Sequence, residues 1–322
     1  MAQKMIVFGD FGIDDTVALI YSHFDDMIDV VGVVANYGNV SRDKAMANAS
    51  YMQQRYNMDQ SVDVILGANI PMTGEKPASL SEIHGEYGLG PIKPPHAGEE
   101  AVTENFFDVV ELIRRYQDEH LIIVNIGRLT SLAAMFILYP EEMKKIQAFY
   151  FMGGAFWVPG NVTAVSEANF HGDPIAARLV LNQAENVTIV PLDATRQAIV
   201  TPQMVDDIDR AGQAEIIKPL LDYYYDFYKQ RDPWILGAPQ HDVATVMATV
   251  YKTMFTFRYL PVKIVENDQG VDRGQSIADI RPYVDVIEKE AKEEKHYRIA
   301  LDIDYWQFYH QFMAIMTGER FR

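Results

Sequence analysis

The chain has 322 residues, 48% of them hydrophobic, and a formal net charge of -17 at pH 7. That length buries a large core, and the acidic balance argues against nucleic acid, which is bound chiefly through phosphates neutralised by Lys and Arg. Cysteine is absent, which excludes disulfides, thiolate metal sites and a cysteine nucleophile.

Short apolar runs alternate with amphipathic stretches along the chain. Met5 to Phe8 reads as a buried strand and Asp14 to Phe24 as a helix. Asp29 to Ala35 is a second strand, Ser41 to Tyr56 a helix, and Val62 to Leu66 a third strand. Glu104 to Glu119 is helical, Leu121 to Asn125 a strand, and Leu129 to Tyr139 a helix. Ala148 to Met152 is a strand, Pro174 to Asn182 a helix, and Val187 to Leu192 a strand. From Thr201 the pattern is mainly helical, with Pro202 at a helix start and aromatics from Tyr223 to Tyr228. Phe255 to Val265 and Tyr297 to Ile303 are late strands, and Asp304 to Thr317 is a closing helix.

Strands alternating with helices predict crossover units. The expected fold is α/β, with a mostly parallel, Rossmann-like open sheet and helices on both faces. No linker, repeat or low-complexity tract divides it, so residues 1–322 read as a single domain. Ala68 to Ala101 and Gln230 to Gln240 lack a sustained period, and unstructured stretches of that kind in a compact domain often serve function. Glu288 to Lys295 reads as a solvated face. There is no run of about 18 apolar residues to span a membrane. The first ten residues lack the basic start and apolar run of a signal peptide, so the expectation is a cytoplasmic protein.

Open parallel sheets bind ligands beyond the carboxyl ends of their strands. The first strand ends in Gly9-Asp10-Phe11-Gly12-Ile13-Asp14-Asp15, which places three carboxylates within six residues. Crowded like charges repel unless something positive sits among them. A helix N-terminus offers only about half a charge, whereas calcium takes roughly 6 to 8 oxygen ligands. The bland alternative is N-capping by Asp14 and Asp15 with a solvated Asp10. The spacing is neither an EF-hand loop nor a P-loop.

Further motifs follow in order. They are Asn36-Tyr-Gly-Asn39, His84-Gly-Glu-Tyr-Gly-Leu-Gly90, Asn125-Ile-Gly-Arg-Leu-Thr-Ser131, Met152-Gly-Gly154, Gly160-Asn-Val-Thr163, Glu167-Ala-Asn169 with Asp173-Pro174 beyond it, and His241-Asp242. Together with the Asp cluster they resemble the inosine-uridine-type nucleoside hydrolases, over roughly residues 5 to 245. The family signature runs Asp-x-Asp-Pro-Gly-x-Asp-Asp. This chain departs from it at Phe8 and Phe11, and from the family's usual residues at Arg128 and Ala168.

The resemblance implies a Ca2+ ion held by Asp10, Asp15, Asp242 and the backbone carbonyl of Ile126. It implies that Asp14, Asn39, Asn161, Glu167 and Asn169 bind the ribose, with Met152 against the sugar. His84 would lie near the 5′ end or the base, Tyr228 and Trp234 would cover the base, and His241 would protonate it. The implied partner is a nucleoside, and the implied assembly is a homodimer or homotetramer. The chemistry suits these residues. Breaking a ribosyl C–N bond builds positive charge on the sugar and negative charge on the base, so a calcium-oriented water, Asp10 as base and His241 as acid are complementary. The competing readings are a catalytically idle relative that binds a riboside as a sensor, and a metal-dependent phosphatase. His171 reads as structural, and His23, His96, His120, His296 and His310 as incidental.

Overall fold

In the computed structural model, which describes residues 2–58, 61–77, 79–95, 104–267, 269–279, 281 and 294–319, the first strand shows how the core is divided. Along β1 (Gln3–Gly9), Met5 and Val7 enter one buried layer, while Ile6 and Phe8 enter the other. A strand alternates its faces, and a strand apolar on both must be covered on both.

The remaining strands are β2 (Ile28–Ala35), β3 (Asp63–Leu66), β4 (Ile122–Asn125), β5 (Ala148–Met152), β6 (Val187–Val190), β7 (Ile199–Val200), β8 (Ala238–Pro239), β9 (Phe255–Ile264), β10 (Ser276–Ala278) and β11 (His296–Ile303). Among the described residues, β1 and eight of these form one sheet in the order β10-β9-β11-β6-β5-β4-β1-β2-β3, and β7 pairs with β8 in a separate ribbon. Pairing is parallel from β3 through β11, whereas β9 and β10 join antiparallel at the edge. This is the mostly parallel α/β sheet that the alternation predicts.

The helices are α1 (Ile13–Phe24), α2 (Arg42–Arg55), α3 (Ser81–His84), α4 (Asp108–Tyr116), α5 (Thr130–Leu138), α6 (Pro140–Met143), α7 (Ala168–Gly172), α8 (Pro174–Gln183), α9 (Leu192–Thr195), α10 (Pro202–Ala211), α11 (Ile217–Arg231), α12 (His241–Val250) and α13 (Tyr305–Thr317). Residues of α1, α2 and α10 through α13 fill one layer, and residues of α4, α5 and α8 fill the other. Local chemistry sets the ends. Thr201 accepts the N–H of Met204 and Pro202 opens α10, while Asp304 accepts the N–H groups of Trp306 and Gln307 to start α13.

Several boundaries differ from the sequence expectation, each for a visible reason. The strand expected to reach Leu192 stops at Val190, because Pro191 has no N–H for the ladder, and Leu192 instead opens α9. The helix expected from Glu104 begins at Asp108, because the side chain of Asn105 accepts from Leu66 N and donates to Val64 O, extending the edge of β3. Lys295 is not a free surface charge. Its ammonium caps α8 by donating to the carbonyls of Leu181 at 3.0 Å, of Asn182 at 3.2 Å and of Ala184. His96 and the run from Glu288 up to residue 293 lie outside the described residues. Among the described residues no helix is long and apolar enough to cross a membrane.

The chain winds outward from β1 through β2 to β3, then returns to lay β4 on the other side of β1. Connections leaving β1 and β4 therefore diverge, which opens a crevice beyond their carboxyl ends.

Candidate active site

The turn after β1 folds onto itself at the floor of this crevice. Asp15 accepts the N–H of Asp10 at 3.0 Å and of Gly12 at 3.2 Å. Asp10 in turn accepts from the N–H of Asn39, which arrives from β2. Gly38 is needed here, since any side chain on it would occupy the place of the Asp10 carboxylate. Phe11 holds a positive φ of 42°, a conformation costly for a bulky residue, with its ring fully buried. Phe8, in place of the first acid of the signature, is a core residue pairing in register with Val34 and Asn125.

The fourth carboxylate comes from far along the chain. β7 and β8 pair, and Gln240 N donates to Ala198 O at 2.9 Å, so α12 starts beside the turn after β6. This brings Asp242 to the β1 turn. Carboxylate oxygens of Asp14, Asp15 and Asp242 lie within 4.8 Å of one another, and Asp10 lines the same pocket. Burial first, then the neighbouring carboxylates, hold Asp15 and Asp242 well above the ordinary aspartate range. Two helix N-termini, of α1 and α12, face this acid group, and their partial positive charge offsets only part of it. The sequence expectation grouped Asp10 with Asp15 and Asp242, whereas the tightest set of oxygens includes Asp14.

Both pocket histidines are tied down by one nitrogen. His84 Nδ1 accepts the N–H of Ile13 at 3.0 Å, and Nε2 is buried with no partner. His241 Nδ1 meets Thr195 Oγ1 at 2.8 Å, and burial lowers its pKa while Asp14 opposes that shift. Tyr224 donates to Asp14 Oδ2 at 3.2 Å and lies within 3.3 Å of the Tyr228 hydroxyl. Burial, then the Asp14 charge, raises the Tyr224 phenol above its ordinary value.

The far wall is built from β5 and α7. Glu167 caps α7, taking N–H groups from Asn169 at 2.7 Å, Gly154 at 3.0 Å and Phe170 at 3.2 Å. Burial nonetheless raises its pKa, with these bonds opposing. Asn169 donates to the carbonyls of Ile126 at 3.0 Å and Met152 at 3.1 Å. Asn161 Oδ1 accepts from Ala168 N at 2.9 Å.

All the expected ribose and metal residues, Asp10, Asp14, Asp15, Asn39, Ile126, Met152, Asn161, Glu167, Asn169 and Asp242, line one pocket with His84, Tyr228 and His241. Trp234 does not. It is 88% exposed beyond the end of α11 and is absent from the lining. Sequence reasoning missed Tyr224, whose spacing of four from Tyr228 puts both on one helix face. It also missed Thr195 and the partners of Arg128. Among the described residues no Lys or Arg lines the pocket, so none there offers a phosphate clamp. His23, His120, His171, His296 and His310 lie away from the lining.

A mostly parallel open sheet with buried acids and amides gathered in one pocket at its switch point has the architecture of an enzyme that binds a small polar molecule. Residues 5–310 match the family model described as inosine-uridine preferring nucleoside hydrolase, and the chain belongs to that family. It is 28% identical over 314 residues to the inosine-uridine preferring nucleoside hydrolase of Crithidia fasciculata, covering 96% of each chain. It is 31% identical to the enzyme of the same description from Leishmania major, over 87% of this chain and 89% of that one. A purine-preferring ribonucleoside hydrolase from Gardnerella vaginalis superposes with a TM-score of 0.84 at 26% identity, covering 98% of both chains. The chain is thus an enzyme that hydrolyses ribonucleosides, in a metal-dependent family, with an acidic cluster suited to a cation.

Proposed function

We propose that the pocket takes one calcium ion and cleaves ribonucleosides to ribose and free base in nucleoside salvage, purine ribosides included. The observation that carries this reading is the convergence of Asp14, Asp15 and Asp242 oxygens within 4.8 Å in a pocket that Asp10 also lines. Carboxyls held above their ordinary range first by burial and then by one another fit a hard divalent cation, which would supply the missing positive charge. Asp10, Asp15, Asp242 and the Ile126 carbonyl are the proposed ligands. A cation held there would supply Lewis acidity, lowering the pKa of a nearby water and offsetting the crowded carboxylates.

The chain's own groups do the rest. Asp10 takes a proton from the attacking water as its oxygen bonds to the anomeric carbon. Asp14, Asn39, Asn161, Glu167 and Asn169 hold the sugar hydroxyls, and the surrounding carboxylates favour the cationic sugar of the transition state. The C–N bond breaks with its electron pair going to the base, and His241 supplies the proton that the base accepts. Tyr224 and Tyr228 form the wall beside Asp14. Trp234 acts as a cover only if the segment after α11 folds inward. We propose further that the enzyme is cytoplasmic and assembles as a homodimer or homotetramer.

The departures at Phe8, Phe11 and Arg128 are what would favour an idle sensor, and Asp10, Asp15, Asp242 and His241, all in one lining, speak against it. The test is metal analysis of unchelated protein with a nucleoside panel assayed for released reducing sugar. One calcium per chain and a hydrolysis rate abolished by chelation are expected. Full activity in metal-free protein overturns the reading.

A further inference from the structure

Arg128 follows β4 and is buried, with 8% of its surface exposed. Its Nη1 donates to Asn169 Oδ1 at 2.5 Å, and its Nη2 donates to Asn39 Oδ1 at 2.8 Å. Asn39 follows β2 and Asn169 lies in α7, so one planar cation joins amides from two walls of the crevice. A place is kept for it. Gly172 ends α7, and a Cβ there would collide with Nε and Cδ of Arg128.

An arginine carries donors and no acceptor, so the atoms it grips are the amide oxygens. That selects one of the two flip states of each amide. Asn169 then sends its NH2 to the carbonyls of Ile126 and Met152, and its oxygen keeps a lone pair. The Asn39 NH2 is left for the pocket that its side chain lines. Without the guanidinium, Asn39 is free to turn its oxygen rather than its NH2 to the pocket, and Asn169, still held by two carbonyls through its NH2, loses the partner that holds its oxygen.

We propose that Arg128 is a positioning residue that locks Asn39 and Asn169 in the orientation that reads the sugar, and so sets selectivity for an intact 2′,3′-diol. Arg128 itself is outside the pocket lining and acts through the two amides. The proposal rests on the reading that Asn39 and Asn169 bind sugar hydroxyls.

The test compares kcat and KM for a ribonucleoside and its 2′-deoxy and 3′-deoxy counterparts, with thermal midpoints recorded alongside. Arg128→Met removes the donors and keeps an apolar stem. It should lower kcat/KM for the ribonucleoside by about 10- to 100-fold, and lower it much less for the deoxy analogues. Arg128→Lys keeps the charge without the fork and should recover only part of the loss. In an Asn39→Ala, Asn169→Ala background, Arg128→Met should add little. Asn39→Asp keeps an oxygen for Arg128 but deletes the NH2, and should lose as much kcat/KM as Asn39→Ala while remaining folded. Arg128→Lys and Asn39→Asp carry the test if Arg128→Met does not fold. Proportional losses on ribo- and deoxyribonucleosides, additive losses in the double-alanine background, or full kcat/KM in Asn39→Asp overturn the lock. Unchanged kcat/KM in Asn39→Ala overturns instead the sugar-binding reading beneath it.

Discussion

The backbone N–H of Ile13 donates to Nδ1 of His84 across a separation of 71 residues, at 3.0 Å. Nδ1 is thereby the acceptor, and the ring proton sits on Nε2. That donor is buried and unpartnered in a residue that lines the pocket, and the proposed function gives it an acceptor on the nucleoside. The same bond satisfies a free N–H at the first turn of α1.

His84→Ala should therefore act on two observables. It should raise KM for nucleosides by about 10-fold, and it should lower stability by about 1 kcal/mol, the usual cost of losing such a bond. At pH 8 the imidazole nitrogen NMR signals should report the Nε2-protonated tautomer. The Nδ1-protonated tautomer would show that Ile13 does not hold the ring.

Metal removal gives a pH-dependent prediction. Asp15 and Asp242 are held above the ordinary aspartate range, first by burial and then by neighbouring carboxylates. A carboxyl raised in the folded state keeps a proton that the unfolded chain gives up at about pH 3.9. Its stabilising contribution is complete below that pH and is lost as pH rises through the folded value. The gap in thermal midpoint between chelated and calcium-saturated protein should therefore widen from pH 5 to pH 8. Asp242→Asn should raise the midpoint of chelated protein at pH 8 by about 3 °C and abolish the response to calcium. A gap that is constant with pH would show that these carboxyls are not the source.

The outcome of this site illustrates what a single sequence discloses. The β1 strand was legible because the alternation Met5-Ile6-Val7-Phe8 carries apolar residues to both faces. The acids of the β1 turn were legible because Asp10, Asp14 and Asp15 fall within six residues. Thr195 was not, because it meets His241 over 46 residues only through the pairing of β7 with β8. Arg128 stood out as an unusual residue, yet its partners lie 89 and 41 residues away on separate walls. Tyr224 sat among Tyr223, Tyr225 and Tyr228, and only the phase of α11 against α1 selects which hydroxyls reach Asp14.

The sugar side of the site predicts discrimination by a single hydroxyl. Asp14, Asn39 and Asn169 bring a carboxyl, an amide NH2 and an amide oxygen to one pocket. A substrate lacking the 2′ hydroxyl leaves buried polar groups unpaired, which costs far more than a lost methyl contact. The kcat/KM for 2′-deoxyinosine should be lower than for inosine by about 100-fold or more. Equal values would remove the 2′ position from recognition.

The last prediction concerns proton delivery to the base. His241 opens α12 directly before Asp242, so the same helix start that brings a carboxylate to the acid cluster carries the imidazole to the pocket wall. Nδ1 is engaged by Thr195, which leaves Nε2 for a ligand. A hydroxyl both donates and accepts, so Thr195 can hold Nδ1 whether or not the ring is charged. The histidine can then give up and regain a proton at Nε2 without losing its anchor. A purine offers N7 as an acceptor, and a pyrimidine has no equivalent atom. His241→Ala should therefore slow inosine hydrolysis by about 100- to 10,000-fold, slow uridine hydrolysis far less, and leave KM nearly unchanged, because the proton is delivered only in the transition state. Thr195→Val should fall between wild type and His241→Ala on inosine, since it loosens the ring without removing it. Equal losses on inosine and uridine, or no loss on either, would reassign His241 to a structural role.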